Sequence, residues 1–471
     1  MLMPATLRRL IGSRKFYAMV MAVVVPIIVQ NAITNFVNLL DNLMVGRIGT
    51  DQMSGVAIAN QLFFVYNLTI FGAISGAGIF TAQYHGAGNV EGVRASMRYK
   101  LIIAMLLCVG AIALFVCAGP KLVSLYLTDT SDPARVQRTL DYAMEYLRIM
   151  LLGLAPFTIA QCYAGTLRET GETAMPMYAG IAAVVVNLAF NYLLIFGKLG
   201  FPRLGAAGAA YATILSRYVE LAIILIYTHT HTAKHPFASG LYHTLRIPMV
   251  IVREITRKGM LLLFNELLWS MGTAVLTQIY SLRGLDVVAA ANISTTVYNL
   301  FSVTFLSMGT ATSIIVGQAL GASQIKTAKV YAIQLIAFTA VFSSVFGIVL
   351  LILSRPIPML YNTTASVHHL ATQLIRISCY IMPFNAVCNS SYFIMRSGGK
   401  TGITFLFDCG FMWAVTIPFA YVLAHFTHVG ILMIFLCVQL MEVAKSVVGI
   451  CLVQKGIWIN NIVSSASMAA E

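Results

Sequence analysis

Charge is scarce in this chain. Only 16 of its 471 residues are Asp or Glu and only 10% are charged at all, while 59% are apolar. A soluble enzyme of two or three domains needs a charged surface that this composition cannot supply. Familiar catalytic signatures are missing too: there is no HExxH metal motif, no GxSxG nucleophile elbow and no Walker loop. An intramembrane enzyme is therefore the weaker reading. The eight cysteines form no CxxC pair and fall in or at the ends of apolar runs, so they read as small hydrophobes. No cleavable signal peptide is expected, because the first apolar run is too long and lacks a small-residue cleavage pattern.

What is abundant is apolar sequence in long blocks. A bilayer-spanning helix takes about 20 apolar residues, and twelve such stretches can be placed, the first from Phe16 to Gly46 and the last from Ile431 to Val453. The fold class expected is an all-α polytopic membrane protein of twelve transmembrane helices. Basic residues separate into two sets by loop parity. Arg8, Arg9, Arg14, Lys15, Arg94, Arg98, Lys100, Arg168, Lys234, Arg246, Arg253, Arg257, Lys258, Lys326, Lys329, Arg396, Lys400 and Lys455 share one side. That bias predicts both termini in the cytoplasm and a multi-pass protein of the cytoplasmic (inner) membrane. It also accounts for the net charge of +14 through topology and contact with the lipid bilayer, so no nucleic-acid partner is expected.

The chain repeats itself. Gly49-Thr-Asp51 returns as Gly284-Leu-Asp286, and Gln83 with Gly86-Ala87 returns as Gln318 with Gly321-Ala322, both at an offset of 235 residues. Near the end of each half, Pro156-Phe157, Arg168, Gly171 and Thr173 are answered by Pro383-Phe384, Arg396, Gly399 and Thr401, with one residue inserted. The reading is two pseudo-symmetric six-helix bundles: an N-terminal lobe over 1–228, a basic cytoplasmic linker over 229–258 and a C-terminal lobe over 259–471. Six helices is an even number, so the two copies share one orientation and enclose a cleft suited to alternating access.

Polar residues inside these spans point to what the cleft does. On the first helix Gln30, Asn31, Thr34, Asn35, Asn38, Asp41 and Asn42 fall within an arc of roughly 140°. Lipid does not tolerate that face, so it looks into a polar cavity or joins another helix by amide hydrogen bonds. Asp41 favours the cavity. A carboxylate in low dielectric either takes up a proton or stays charged beside a cation, and both states can couple ion flow to transport. Pro26, about four turns earlier, removes a donor and frees the carbonyl of Ala22, which predicts a bend or a static kink. Asp408 lies in the eleventh helix one turn after Thr404 and reads either as a functional acid or as a hydrogen-bonded structural one. Glu220 beside Arg217, and Glu442 beside Lys445, are expected to form local ion pairs.

Five stretches carry a resemblance that covers nearly the whole chain: Asp41-Asn-Leu-Met-Val-Gly-Arg-Ile-Gly49, Thr81-Ala-Gln-Tyr-His-Gly-Ala87, Arg168-Glu-Thr-Gly-Glu-Thr173, Asn187-Leu-Ala-Phe-Asn191 and Asn265-Glu-Leu-Leu-Trp-Ser270. In order and on twelve helices, they resemble the multidrug and toxic compound extrusion (MATE) family in its NorM- and DinF-like bacterial type. The resemblance implies a V-shaped pair of lobes that exports amphipathic organic cations and drugs in exchange for inward protons or sodium ions, with no other cofactor. It implies that Asp41 works with Asn187, Asn191 and Thr213, which would also be the sodium ligands. Some members carry a second carboxylate where this chain has Asn191, which shifts weight toward the proton. Glu266 resembles a helix-seven glutamate of the NorM-like branch, whereas the acid of helix ten is replaced here by Asn385-Ala-Val. Asp408 is the candidate substitute. Gln30, Thr34, Asn38, Trp269, Tyr298 and Asn385 are the candidate cavity residues, the aromatics through stacking on a lipophilic cation. The chain is expected to work as a monomer. The rival within transporters is a flippase for lipid-linked oligosaccharides of the same superfamily, whose pyrophosphate cargo would require unpaired interior Arg or Lys.

Overall fold

The computed structural model describes residues 10–46, 49–127, 132–361 and 363–463; the side chains of Asn38 and Asn42, and residues 47–48, lie outside that description. Its elements are helical, and among the described residues there is no strand. We number them α1 (Arg14–Gly46), α2 (Thr50–Gly86), α3 (Val90–Ser124), α4 (Pro133–Met150), α5 (Leu154–Glu169), α6 (Ala174–Phe196), α7 (Ala206–Thr230), α8 (Met249–Ser281), α9 (Leu285–Gly321), α10 (Ile325–Leu353), α11 (Ala365–Ser397), α12 (Thr401–Phe405), α13 (Ile417–Phe426) and α14 (Ile431–Lys455). A single 3₁₀ turn, Leu151–Gly153, joins α4 and α5 into one span. Two π-helical stretches, Leu406–Gly410 and Met412–Thr416, carry α12 into α13.

Eleven spans among the described residues are long and apolar enough to cross a bilayer. The remaining long helix, α11, has 33 residues but carries Asn385, Asn389, Ser390 and Ser391 in its second half. With it the twelve-helix architecture is complete. Local chemistry sets several ends. Asp132 caps α4 by accepting from the Arg135 N–H at 3.0 Å, with Pro133 in the first turn, where its missing donor costs nothing. Gly197 closes α6 in the left-handed region at φ 65°. Across Pro26, α1 continues as one helix.

The chain divides into two compact units. One comprises residues 1–28, 82–89 and 256–471, and the other 29–81 and 90–255. The division through α1 falls two residues after Pro26. In the first unit α9 packs on α11, and α11 on α10 and α14. Its core runs from Val20, Val24 and Ile27 of α1 to Met308, Ile315 and Val316 of α9 and Leu335 of α10. There the repeated motif meets itself: a Cβ on Gly86 would overlap the carbonyl oxygen of Gln318, and a Cβ on Gly321 would overlap that of Gln83. Equivalent residues of the two repeats, Gly86 with Gly321 and Gln83 with Gln318, thus exchange roles in two reciprocal contacts, as a two-fold relation requires. The Gln83 amide is used fully there, donating to the carbonyls of Ser397 (2.8 Å) and Asn460 (3.2 Å) and accepting from the Ile462 N–H (2.8 Å).

In the second unit α6 packs on α7, and α3 on α5. The segment after α7 is tied down by Arg94, which donates to the carbonyls of Phe237 and Pro236, and by Arg98, which donates to those of Leu241 and Gly240. Lys234 pairs with Glu172, just beyond α5. Burial pushes the Glu172 carboxyl up, but the Lys234 ammonium and the Met175 N–H outweigh it and hold the group below its ordinary value. The same pair holds Lys234 above its own. A depressed acid contributes above its unfolded pKa of about 4.3 and loses that contribution as pH falls through the folded value; a raised lysine contributes below about 10.4 and loses it as pH rises through its folded value. The tie therefore holds across the window between them. Amide protection in 231–244, taken relative to the intrinsic exchange rate at each pH, is expected to fall modestly when the pH drops below about 4, and the same fall is expected at pH 7 in Glu172→Gln. Unchanged protection in that variant would mean that the pair does not hold this segment.

Candidate functional site

Asp41, on the last third of α1, meets the inner face of α6. Asn187 and Asn191 lie four residues apart, so both amides project on one face of that helix, and both are buried. The Asn191 Nδ2 donates to Asp41 Oδ1 at 2.5 Å and to Asn187 Oδ1 at 3.1 Å. Thr213 of α7 completes the group, 3.3 Å from the Asn187 amide. The four residues that the resemblance joins thus form one connected group, with Thr213 reached through Asn187, all within the second unit. The Asn191 oxygen is buried without a donor.

The Asn187 amide has two ways to sit, and they differ in what they ask of Asp41. Its inner atom lies 3.0 Å from Asp41 Oδ1 and 3.1 Å from Oδ2. With nitrogen there, it donates to an ionised carboxylate, and its oxygen turns to Thr213. With oxygen there, acceptor faces acceptor, so a proton on Asp41 or a bound cation must lie between them. Thr213 leans toward the second arrangement. Its single hydroxyl hydrogen already goes to the Ala209 carbonyl at 2.9 Å, which leaves the oxygen free to accept from the Asn187 Nδ2.

Beside this group is an open cavity of about 350 Å³, solvent space included, lined by Thr213, Arg217, Phe157, Phe63, Asn67 and Met150. Arg217 lies 4.9 Å over the Phe157 ring and donates to Glu220 at 3.2 Å, the local pair the spacing predicts. Gln30 and Thr34 lie elsewhere on the stripe. The Gln30 oxygen accepts from Arg168 at 3.1 Å, and Thr34 donates to the Gln30 carbonyl of its own helix at 2.8 Å. The Asn38 side chain lies outside the described residues.

The first unit holds a second polar centre. On α8, Asn265 donates to Asp408 Oδ2 at 3.0 Å and to the Tyr392 hydroxyl at 3.3 Å; Tyr392 in turn donates to Glu266 at 3.4 Å. Arg396 stands 3.9 Å from Glu266 and over the rings of Tyr392 and Phe393. Asp408 lies in the π-helical stretch, where an extra residue in the turn redirects side chains. The Cys409 thiol of that stretch and the Trp413 ring nitrogen of the next one fix both to α8, bonding the carbonyls of Asn265 and Leu268 at 3.0 Å each. Two cavity candidates also meet: Asn385 donates to the Tyr298 hydroxyl at 2.7 Å. Trp269 stands apart from both, half-exposed on α8.

Three members of this second centre were not among the candidates: Tyr392, Arg396 and Lys445. Spacing pairs Lys445 with Glu442, but its ammonium lies 2.7 Å from Asp408 and 3.9 Å from Glu442. An acid and a base on two different apolar helices were the available signal. The short i,i+3 spacing hid it.

Acids, amides and basic side chains gathered inside apolar helices, in a chain of two internal repeats, are the construction of a membrane transporter. The chain belongs to the MatE family, which matches residues 26–193 and 262–422. It is similar to a probable multidrug resistance protein NorM from Halalkalibacterium halodurans, 25% identical over 416 residues that span 87% of this chain and 88% of that one. It is also similar to the probable multidrug resistance protein YoeA from Bacillus subtilis, 27% identical over 87% of each chain. Among solved structures, a MOP superfamily transporter from Pyrococcus furiosus shares the fold with a TM-score of 0.83 at 18% identity, covering 97% of this chain and 99% of that one. An outward-facing multidrug resistance MATE transporter superposes with a TM-score of 0.82, also at 18% identity, over 99% of this chain and the whole of the other.

Proposed function

We propose that this transporter exports amphipathic organic cations and drugs across the cytoplasmic membrane by alternating access, in exchange for a proton taken up at Asp41. The observation that carries the reading is the Asp41 carboxylate, met on a membrane-spanning helix by the amides of Asn191, 2.5 Å from one oxygen, and Asn187, 3.0 and 3.1 Å from both. Ionised Asp41 accepts from Asn191 and Asn187 and attracts a lipophilic cation. Protonated Asp41 donates to the Asn187 oxygen, loses its charge and releases the cation. Proton and cargo compete for one carboxylate, and antiport follows from that competition.

The relatives named as multidrug resistance proteins support drugs as cargo. A sodium ion is the second reading, favoured by the Asn187 and undonated Asn191 oxygens near Asp41; the lack of a second carboxylate at Asn191 weighs against it. A pyrophosphate cargo finds little support, since Arg217 and Lys445 are each already paired with an acid. Each polar centre is complete within one chain, which favours a monomer, and the distribution of basic residues favours cytoplasmic termini. The test is ethidium efflux from vesicles under separately imposed proton and sodium gradients. A proton gradient is expected to drive it. Drive by sodium alone would assign the second reading, and efflux indifferent to both would defeat antiport.

A further inference from the structure

The two polar centres neutralise their acids differently. Asp41 is met by amides, whereas Asp408 is met by an ammonium. Lys445 of α14 is buried at 7% exposure. Its Nζ lies 2.7 Å from Asp408 Oδ1, 3.9 Å from Glu442 Oε2 and 5.4 Å from the centre of the Phe407 ring. Asn265 covers the other Asp408 oxygen, and its own Oδ1 is buried with no donor. The remaining charges facing this centre are Glu266 and Arg396, which face each other. Two carboxylates and an aromatic face meet one monovalent cation, and that cation is covalently part of the chain.

We propose that Lys445 is a tethered cation that fills the Asp408 site from within, so that Asp408 exchanges no ion with solution and coupling is left to Asp41. The inference rests on the antiport reading above and deepens it by fixing which acid exchanges. An isolated ionised carboxylate in this interior is costly, so Asp408 either takes up a proton or stands opposite a cation. A lysine on a flexible stem supplies that cation without leaving the protein. Taking the ammonium away while keeping Asp408 and Glu442 opens a place for a small cation or a proton.

The experiment measures radioactive sodium binding and proton uptake on the full chain in detergent, for wild type, Lys445→Met, Lys445→Arg, Asp408→Asn and the double variant Lys445→Met/Asp408→Asn. Lys445→Met is expected to gain one saturable sodium site, or one extra proton at low sodium, that the double variant lacks. Lys445→Arg, which restores a tethered charge, is expected to behave as wild type. In transport, Asp408→Asn is expected to leave the number of ions exchanged per cargo unchanged. A folded Lys445→Met that gains neither ion overturns the proposal, as does an Asp408→Asn chain that exchanges fewer ions per cargo. If Lys445→Met alone fails to fold, the Asp408→Asn stoichiometry decides. Efflux by wild type that ignores both gradients would defeat the antiport reading instead, and the sodium-binding comparison would still stand on its own.

Discussion

Replacing Asp41 with Asn is expected to reduce gradient-driven efflux to the level of empty vesicles, with the protein still folded. The substitution keeps size and shape, and an amide can still bond to Asn187 and Asn191, so the packing around α6 has no reason to change. What disappears is titration. Without a proton to gain, the site cannot alternate between a charged state that attracts a cation and a neutral one that lets it go. Binding should weaken as well. A cation about 4 Å from a carboxylate gains roughly 1 kcal/mol in water and about 4 kcal/mol at an effective dielectric constant of 20. Ethidium affinity is thus expected to fall between about fivefold and several-hundredfold. Fluorescence anisotropy of bound dye and proton-driven efflux from the same preparation check the two effects separately. Normal affinity together with normal proton-driven efflux in Asp41→Asn would remove this residue from the mechanism.

Much of this site could be read before any coordinates. The stripe on α1 marks Asp41 because amides at i, i+4 and i+7 cannot all face lipid, and helical periodicity is a short-range property that sequence records directly. The partnership of Asp41 with Asn187, Asn191 and Thr213 is different in kind. It joins three helices, and only the resemblance supplied it. The contact of Lys445 with Asp408 was not legible, because nothing in the spacing along α14 reveals that a helix some 40 residues earlier turns its acid toward it. The π-helical widening at Leu406–Gly410 adds to the difficulty. It rotates Asp408 off the face that a regular helix would give it, and a wheel drawn at 100° per residue then misplaces it. Likewise, α11 is less apolar because polar residues interrupt it along its length, from Gln373 and Arg376 to Asn385 and Asn389, and of these Asn385 bonds the Tyr298 hydroxyl. Polar function and a clear membrane-spanning signal compete for the same positions.

The repeat motif carries the other large effect. Gly86 and Gly321 are each pressed against the backbone carbonyl of the other repeat's glutamine, Gln318 and Gln83. A carbonyl on a helix cannot rotate aside as a side chain can, so a new Cβ must move the helix itself. Gly321→Val is expected to cost about 1–3 kcal/mol or more, the range for forced overpacking, and Gly86→Val the same. Because the contacts are reciprocal, the double variant is expected to lose less than the sum of the two: once one substitution has parted the helices, the second finds room. Gly110 is the control. It lies in α3, where a Cβ would meet nothing within 4 Å, so Gly110→Ala is expected to be neutral or to gain about 0.5–1 kcal/mol from the helix preference of alanine. Thermal unfolding followed in detergent separates these outcomes. A Gly321→Val protein that melts with wild type would mean that α2 and α9 do not approach this closely. In that case the reciprocal contact would no longer support a two-fold relation between the halves, and the repeat would rest on the sequence matches alone.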